Sequence, residues 1–144
     1  MRIDLDIRNG PSGGLTFEFI PSHRALDSRY EYDRHGPDVF NMSELAFRFL
    51  QSAISAEFPA WKAGWHYYGI TRLSAENWYA ILSALDGLRF DIRAGVHPKL
   101  ILARAFIPLA ARLHRRATLA FLDQFEIRVR TVVAQYPYLL IAGI

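Results

Sequence analysis

Two short segments near the start of the chain alternate apolar and polar residues, and this pattern constrains the fold more than any other feature. Residues 2–8 and residues 15–19 each place an apolar side chain at every second position. Such a period of two predicts half-buried β-strands. The stretch between them, residues 9–14, is rich in Gly, Pro and Ser, so we expect the two strands to form a β-hairpin.

Helical spacing of apolar residues takes over in the middle of the chain. Ser43 and Asn41 are candidate N-cap residues for a first helix, and Ser74 is the candidate for a second. A third amphipathic helix is predicted over about residues 98–117, and Gly95 precedes it. Residues 118–136 fit either an alternating strand or a helix, and their continuity with the preceding helix favours a fourth helix.

Two further segments are predicted to extend the sheet. Residues 65–73 are rich in Tyr and Ile and suggest a third strand, and residues 138–144 suggest a short buried strand or a docked tail. Residues 21–42 are polar and are interrupted by Pro and Gly, so we expect mostly loop there. A short edge strand near residues 29–33 is one alternative. The sequence therefore predicts one α+β domain over residues 1–144, a small antiparallel sheet packed by about four helices.

Composition excludes several classes of protein. A chain of 144 residues buries enough surface to form a core without disulfides, and this chain contains no cysteine. Its uncharged apolar stretches are far shorter than the roughly 20 residues of a spanning helix, so we expect no membrane contact. The start has no apolar signal region, which predicts a cytoplasmic protein. The net charge of +3 is too small to indicate nucleic-acid binding by itself.

The sequence contains no local motif for a metal, a phosphate or an activated nucleophile. The five histidines do not have zinc-site spacing, no Ser lies in a G-x-S-x-G elbow, and the glycine-rich loop lacks the GK[ST] ending of a phosphate loop. We therefore predict no cofactor, no metal and no catalytic residue. A polar loop contains His23, Asp27, Asp33 and His35, which could meet in space around a metal, although a solvated loop is favoured.

Arginine and aromatic residues, which are enriched at interfaces, define three candidate binding surfaces. The first is an aromatic and acidic loop, the second is an aromatic run between Trp61 and Tyr79, and the third is the basic face of the third helix. The candidate partner-binding residues are Tyr30, Glu31, Tyr32, Asp33, Arg34, His66, Tyr68, Arg104, Arg112, Arg115 and Arg116. A solvated loop, core packing and a solvated helix face are the respective alternatives.

The segment Gly64-Trp-His-Tyr-Tyr-Gly-Ile-Thr-Arg-Leu-Ser-Ala-Glu-Asn-Trp78, a predicted strand that runs into a capped helix, resembles the immunity proteins of bacterial contact-dependent growth-inhibition systems. This resemblance is one of overall character and assigns a role to no particular residue. It implies a non-catalytic protein that binds the toxin domain of a large secreted effector and covers its active site. Two alternatives stay open: a small enzyme such as a nuclease with a His/Arg site, and a nucleic-acid-binding protein that uses the basic helix face.

Overall fold

The protein folds as a five-stranded antiparallel sheet packed by helices. The structure is a computed structural model and describes residues 3–24, 33–58, 69–95 and 113–143. In chain order the elements are β1 (Arg8–Asn9), β2 (Thr16–Ser22), β3 (Phe40–Ser43), α1 (Glu44–Glu57), β4 (Ile70–Thr71), α2 (Ala75–Ala94), α3 (Arg115–Val133) and β5 (Tyr138–Ala142). The strand order is β1-β3-β2-β5-β4, and every neighbouring pair is antiparallel. The predicted α+β class is confirmed.

The helix boundaries follow from local capping chemistry. The Ser43 hydroxyl accepts a hydrogen bond from the backbone N–H of Ala46 at 3.1 Å and so begins α1. Ser74 and Asn77 form a reciprocal capping box at the start of α2. Gly95 ends α2 in the left-handed conformation at φ 73°, which glycine adopts without steric cost. Both predicted Ser caps are confirmed.

The main core lies between the three helices and one face of the sheet. Phe19 of β2 stacks on Phe40 of β3 at 4.7 Å between ring centroids and meets Phe125 of α3 edge-on at 5.6 Å. Trp78 of α2 is fully buried and donates its indole N–H to the carbonyl of Leu139 at 2.9 Å. This aromatic cluster therefore joins α2 and α3 to the central strands of the sheet.

The predicted N-terminal hairpin is wrong. β1 contains only Arg8–Asn9, and both β1 and β2 pair with β3 rather than with each other. Leu5 is nevertheless buried in the core, and Ile3 and Ile7 pack against it, so the alternating pattern did identify a segment with one buried face. Alternation shows which face of a segment is buried, but it does not specify the neighbouring strand.

Several other predictions have definite outcomes. The helix predicted over residues 118–136 is confirmed as α3, and the terminal strand is confirmed as β5. The predicted third strand is described only at its end, as β4. β3, which contains Asn41, was missed within a stretch predicted as loop and cap. Three helices are described instead of about four, since residues 98–112 of the predicted third helix lie outside the described residues.

No helix in the described ranges has the length and apolar character needed to cross a membrane.

Candidate protein-binding surface

A groove of about 670 Å³ lies between α3 and two segments of the N-terminal region. One wall is formed by Ile127, Arg128 and neighbouring residues of α3, and the other by Ile7, Asn9 and the Pro37–Asp38 turn. Ile127 is 67% exposed, although isoleucine is among the most commonly buried residue types. The groove therefore combines an exposed apolar side chain with walls that contain both polar and apolar residues.

Arg128 has a defined position in this groove. Its guanidinium carbon lies 5.1 Å from the centroid of the Phe40 ring, within the range of a cation–π contact. Phe40 is itself fully buried, so the ring that Arg128 contacts belongs to the core. This contact holds a positive charge beside Ile127.

The groove continues onto the exposed side of α3. At about 3.6 residues per turn, the residues of this side fall within about 120° of the helix circumference. We call this surface the α3 face; it comprises Arg116, Ala120, Gln124, Ile127, Arg128 and Thr131. Both charged residues of the α3 face are arginines, and no acid lies on it.

The acids of α3 are turned toward α2 instead. Arg89 of α2 has only 8% of its side chain exposed and pairs with Asp123 at 3.3 Å and with Glu126 at 3.1 Å. Glu126 also pairs with Arg130, one turn later, at 3.1 Å. Because these ion pairs hold the carboxylates of α3 at its contact with α2, no acid of α3 lies beside the arginines of the α3 face, and Asp38 on the facing turn is the acid that lines the adjoining groove in the described structure.

A second cavity, of about 530 Å³, shares the Pro37–Asp38 turn with the groove. Tyr136 donates its hydroxyl to the Asp38 carboxylate at 2.8 Å, and this hydrogen bond raises the pKa of Tyr136 above its ordinary value. The ring of His23 lies 4.6 Å from the Tyr136 ring, between centroids. The Tyr136–Asp38 hydrogen bond therefore ties the turn between the two cavities to the end of α3.

Arg34, one of the predicted binding residues, pairs with Glu18 of β2. The Arg34 Nε donates to Glu18 Oε2 at 2.9 Å and its Nη2 donates to Oε1 at 2.5 Å. Only 4% of the Glu18 side chain is exposed, against 44% for Arg34. The backbone N–H of Ser12 also donates to Glu18, so the glycine-rich loop directs an N–H at an internal carboxylate. This cluster attaches two loops to the sheet.

The remaining predicted residues in the described ranges lie in two parts of the fold, Asp33 in a loop and the adjacent Arg115 and Arg116 at the start of α3. Asp33 lines the second cavity, and its carboxylate accepts a hydrogen bond from the backbone N–H of His35 at 2.9 Å. Arg115 donates to the carbonyl of Arg93 at the end of α2. Arg116 is exposed on the α3 face. Of the four predicted residues that the structure describes, only Arg116 lies on the surface that adjoins the groove.

Seven predicted residues lie outside the described residues: Tyr30, Glu31, Tyr32, His66, Tyr68, Arg104 and Arg112. The proposed metal cluster also included Asp27, which is outside them. Among the described residues, no group of three His, Asp or Glu side chains is arranged to hold a metal ion.

Sequence reasoning missed Ile127, Arg128, Asp38 and Tyr136 as surface residues. One signal was present for Ile127, because it lies off the buried helical stripe that contains Phe125 and the valines of α3. The pairing of Tyr136 with Asp38 had no local signal, since the two residues are far apart in sequence.

Comparisons of this chain with protein-family models, with curated proteins and with solved structures each found no match. The function must therefore be inferred from the residues of the chain itself.

Proposed function

We propose that this chain is a non-catalytic inhibitor that binds a cognate bacterial toxin domain in the cytoplasm and occludes its active site, as immunity proteins do. The α3 face and the adjoining groove form its binding surface. The observation that carries this proposal is the exposure of Ile127 on the α3 face, beside a groove of about 670 Å³. The same face of the helix also presents Arg116 and Arg128. An apolar centre with a polar and arginine-rich surround is typical of protein interfaces.

Two further observations support a binding role for this surface. Arg128, beside Ile127, is held by the Phe40 ring, so little of its side-chain freedom is lost when a partner docks. The opposite side of α3 is fully used in the core, where Phe121, Leu122 and Phe125 are buried. Since the core face is occupied, Ile127 of the α3 face is left exposed among the residues that the structure describes.

The test is a tagged pull-down that includes the product of any adjacent gene, followed by a growth assay. Cells would express the recovered protein with and without this chain. We expect a stoichiometric complex that survives high salt and restores growth. Intrinsic turnover by the purified chain without a tight partner would contradict the proposal, and so would recovery of nucleic acid in a complex that high salt dissociates.

A pair of variants tests whether the α3 face is the binding surface. Ile127→Asp introduces a charge at the centre of the α3 face, and we expect its complex to be weaker by at least about 30-fold, or roughly 2 kcal/mol. Leu15→Asp is the matched control, because Leu15 is 73% exposed and lies outside the groove. Equal loss of protection by both variants, or by neither, would show that the α3 face is not the interface.

A second candidate function is a small enzyme, such as a nuclease with a His/Arg site. His23 and Arg24 both line the second cavity, and the Tyr136 hydroxyl lies there as a proton donor. This candidate predicts that the purified chain cleaves RNA or DNA and that His23→Ala abolishes the cleavage. A His23→Ala variant with unchanged cleavage activity would rule out this enzyme candidate.

A further inference from the structure

We propose that the α3 face receives an acidic amphipathic helix of the partner, laid along α3 with its apolar side against Ile127. This inference rests on the proposed function, because it specifies which kind of partner element the surface takes. Three properties of the described residues support it: the spacing of the exposed side chains, the length of the face and the distribution of charge.

The spacing of the face matches a helix as occupant. Its members recur three or four positions apart, which is the spacing by which a helix surface accepts the ridges of another helix. Ala120 is exposed and small, so a partner backbone can approach closely in the first half of α3. In the second half, Ile127 and the groove offer a projecting apolar side chain beside a recess.

The length of the face is also suited to a helix. From Arg116 to Thr131 the helix rises about 22 Å at about 1.5 Å per residue. A partner helix of four turns covers that distance, which is close to the average helix length in globular proteins. No segment of the partner longer than an ordinary helix is therefore required.

The charge of the face selects an acidic helix. Arg116 and Arg128 lie near opposite ends of α3 and on opposite flanks of its exposed side. The acids Asp123 and Glu126 are held at α2 by Arg89, so they do not neutralise either flank. Carboxylates along both sides of an apolar stripe would meet these two arginines, which favours encounter in the correct orientation.

The same charges disfavour a second copy of this chain as occupant. In an isologous contact each residue faces the same patch of the other subunit. An antiparallel arrangement of two α3 helices would bring Arg116 of one copy toward Arg128 of the other. Like charges at an interface repel each other, so self-association through the α3 face is disfavoured and binding of an acidic partner is favoured.

The experiment uses two synthetic helical peptides of about 18 residues and the full chain. Both peptides carry the same Leu and Ala stripe; one has Glu on its flanks and the other has Lys. Binding is measured by fluorescence polarisation, and the site is mapped by NMR shifts of the isotope-labelled chain. We expect the Glu peptide to bind with shifts confined to the α3 face, and the Lys peptide to bind at least about tenfold more weakly.

Charge reversal makes the result decisive. We expect the double variant Arg116→Glu/Arg128→Glu to bind the Glu peptide about tenfold or more weakly than the unaltered chain does, and to bind the Lys peptide more tightly. Arg93→Glu is the control, because Arg93 lies on α2 outside the α3 face, has 60% of its side chain exposed, makes only a long 4.0 Å contact with Asp123 and gives the same charge change per residue. Equal binding of both peptides, shifts elsewhere, or no effect of charge reversal would overturn the inference.

The peptides also separate this inference from the proposed function. If toxin neutralisation succeeds while the Glu peptide fails to bind, the chain is an inhibitor whose partner element is not an acidic helix. If the Glu peptide binds and no neutralised toxin exists, the face binds acidic helices and the inhibitor proposal is wrong.

Discussion

Replacing Arg34 by Met tests whether this arginine stabilises the fold or serves a partner, as the sequence-based hypothesis holds. Arg34→Met removes both hydrogen bonds that the guanidinium donates to Glu18 and leaves the Ser12 N–H as the remaining donor to that carboxylate. We expect the variant to fold with reduced stability, because a buried carboxylate that loses its cation keeps its desolvation cost.

The magnitude follows from the burial of the pair. Removing one partner of a fully buried ion pair costs about 3–5 kcal/mol. Glu18 is only 4% exposed, but Arg34 is 44% exposed, so its removal opens the carboxylate to water and lowers the expected cost to about 2 kcal/mol. For 144 residues, an unfolding entropy of about 2.1 cal/mol/K per residue converts this into a decrease in Tm of about 7 °C.

The assay is thermal and urea unfolding followed by circular dichroism. Arg8→Met is the control, since the Arg8–Asp4 pair is about half exposed on both sides, and we expect less than about 1 kcal/mol there. The double variant Glu18→Met/Arg34→Met should recover part of the loss, because the buried Glu18 charge is then removed together with its cation. A stability of Arg34→Met equal to that of the control, together with weaker partner binding, would refute this reasoning and support the binding hypothesis.

Three other predictions concern caps and a hydrogen bond. Ser74→Ala should lower the free energy of unfolding by about 1 kcal/mol in urea denaturation, whereas Ser83→Ala, an exposed change within the same helix, should not lower it. Gly95→Ala should cost about 1 kcal/mol in the same measurement, because φ is 73° there; an unchanged midpoint would contradict that assignment. The pKa of Tyr136 is raised, so its contribution to stability is present below the ordinary tyrosine pKa and is lost as the pH rises through the raised value. Asp38→Asn should move the Tyr136 titration, followed by ¹³C NMR, back toward the ordinary range, and an unmoved curve would show that Asp38 is not the cause.

The fold class could be predicted from periodicity, whereas the pairing of the strands could not. The alternation in residues 2–8 reports one buried face, and Leu5 is indeed buried. The choice of partner strand depends on contacts with β3, which lies much later in the chain. β3 itself is only four residues long, too short for its pattern to be distinguished from the helix cap that follows it.

The candidate surface shows the same limit. That α3 is a helix could be read from the spacing of Phe125, Val129 and Val132, which are buried as expected. Arg34 could not be placed, because a loop arginine looks the same in sequence whether it is solvated or paired with a buried acid. Only the folded chain brings Arg34 to Glu18 and turns Asp123 toward Arg89.

The position of β5 has a consequence for biosynthesis. β5 lies between β2 and β4, although it follows both in sequence by a long interval. While a ribosome is still making the residues before Tyr138, β2 has one open edge and β4 lacks the strand with which it pairs in the described part of the sheet. Pairing across such sequence distances is slow, so the backbone groups on that edge of β2 stay unpaired until β5 has been made. In this protein the sheet is completed only after that late strand has been translated.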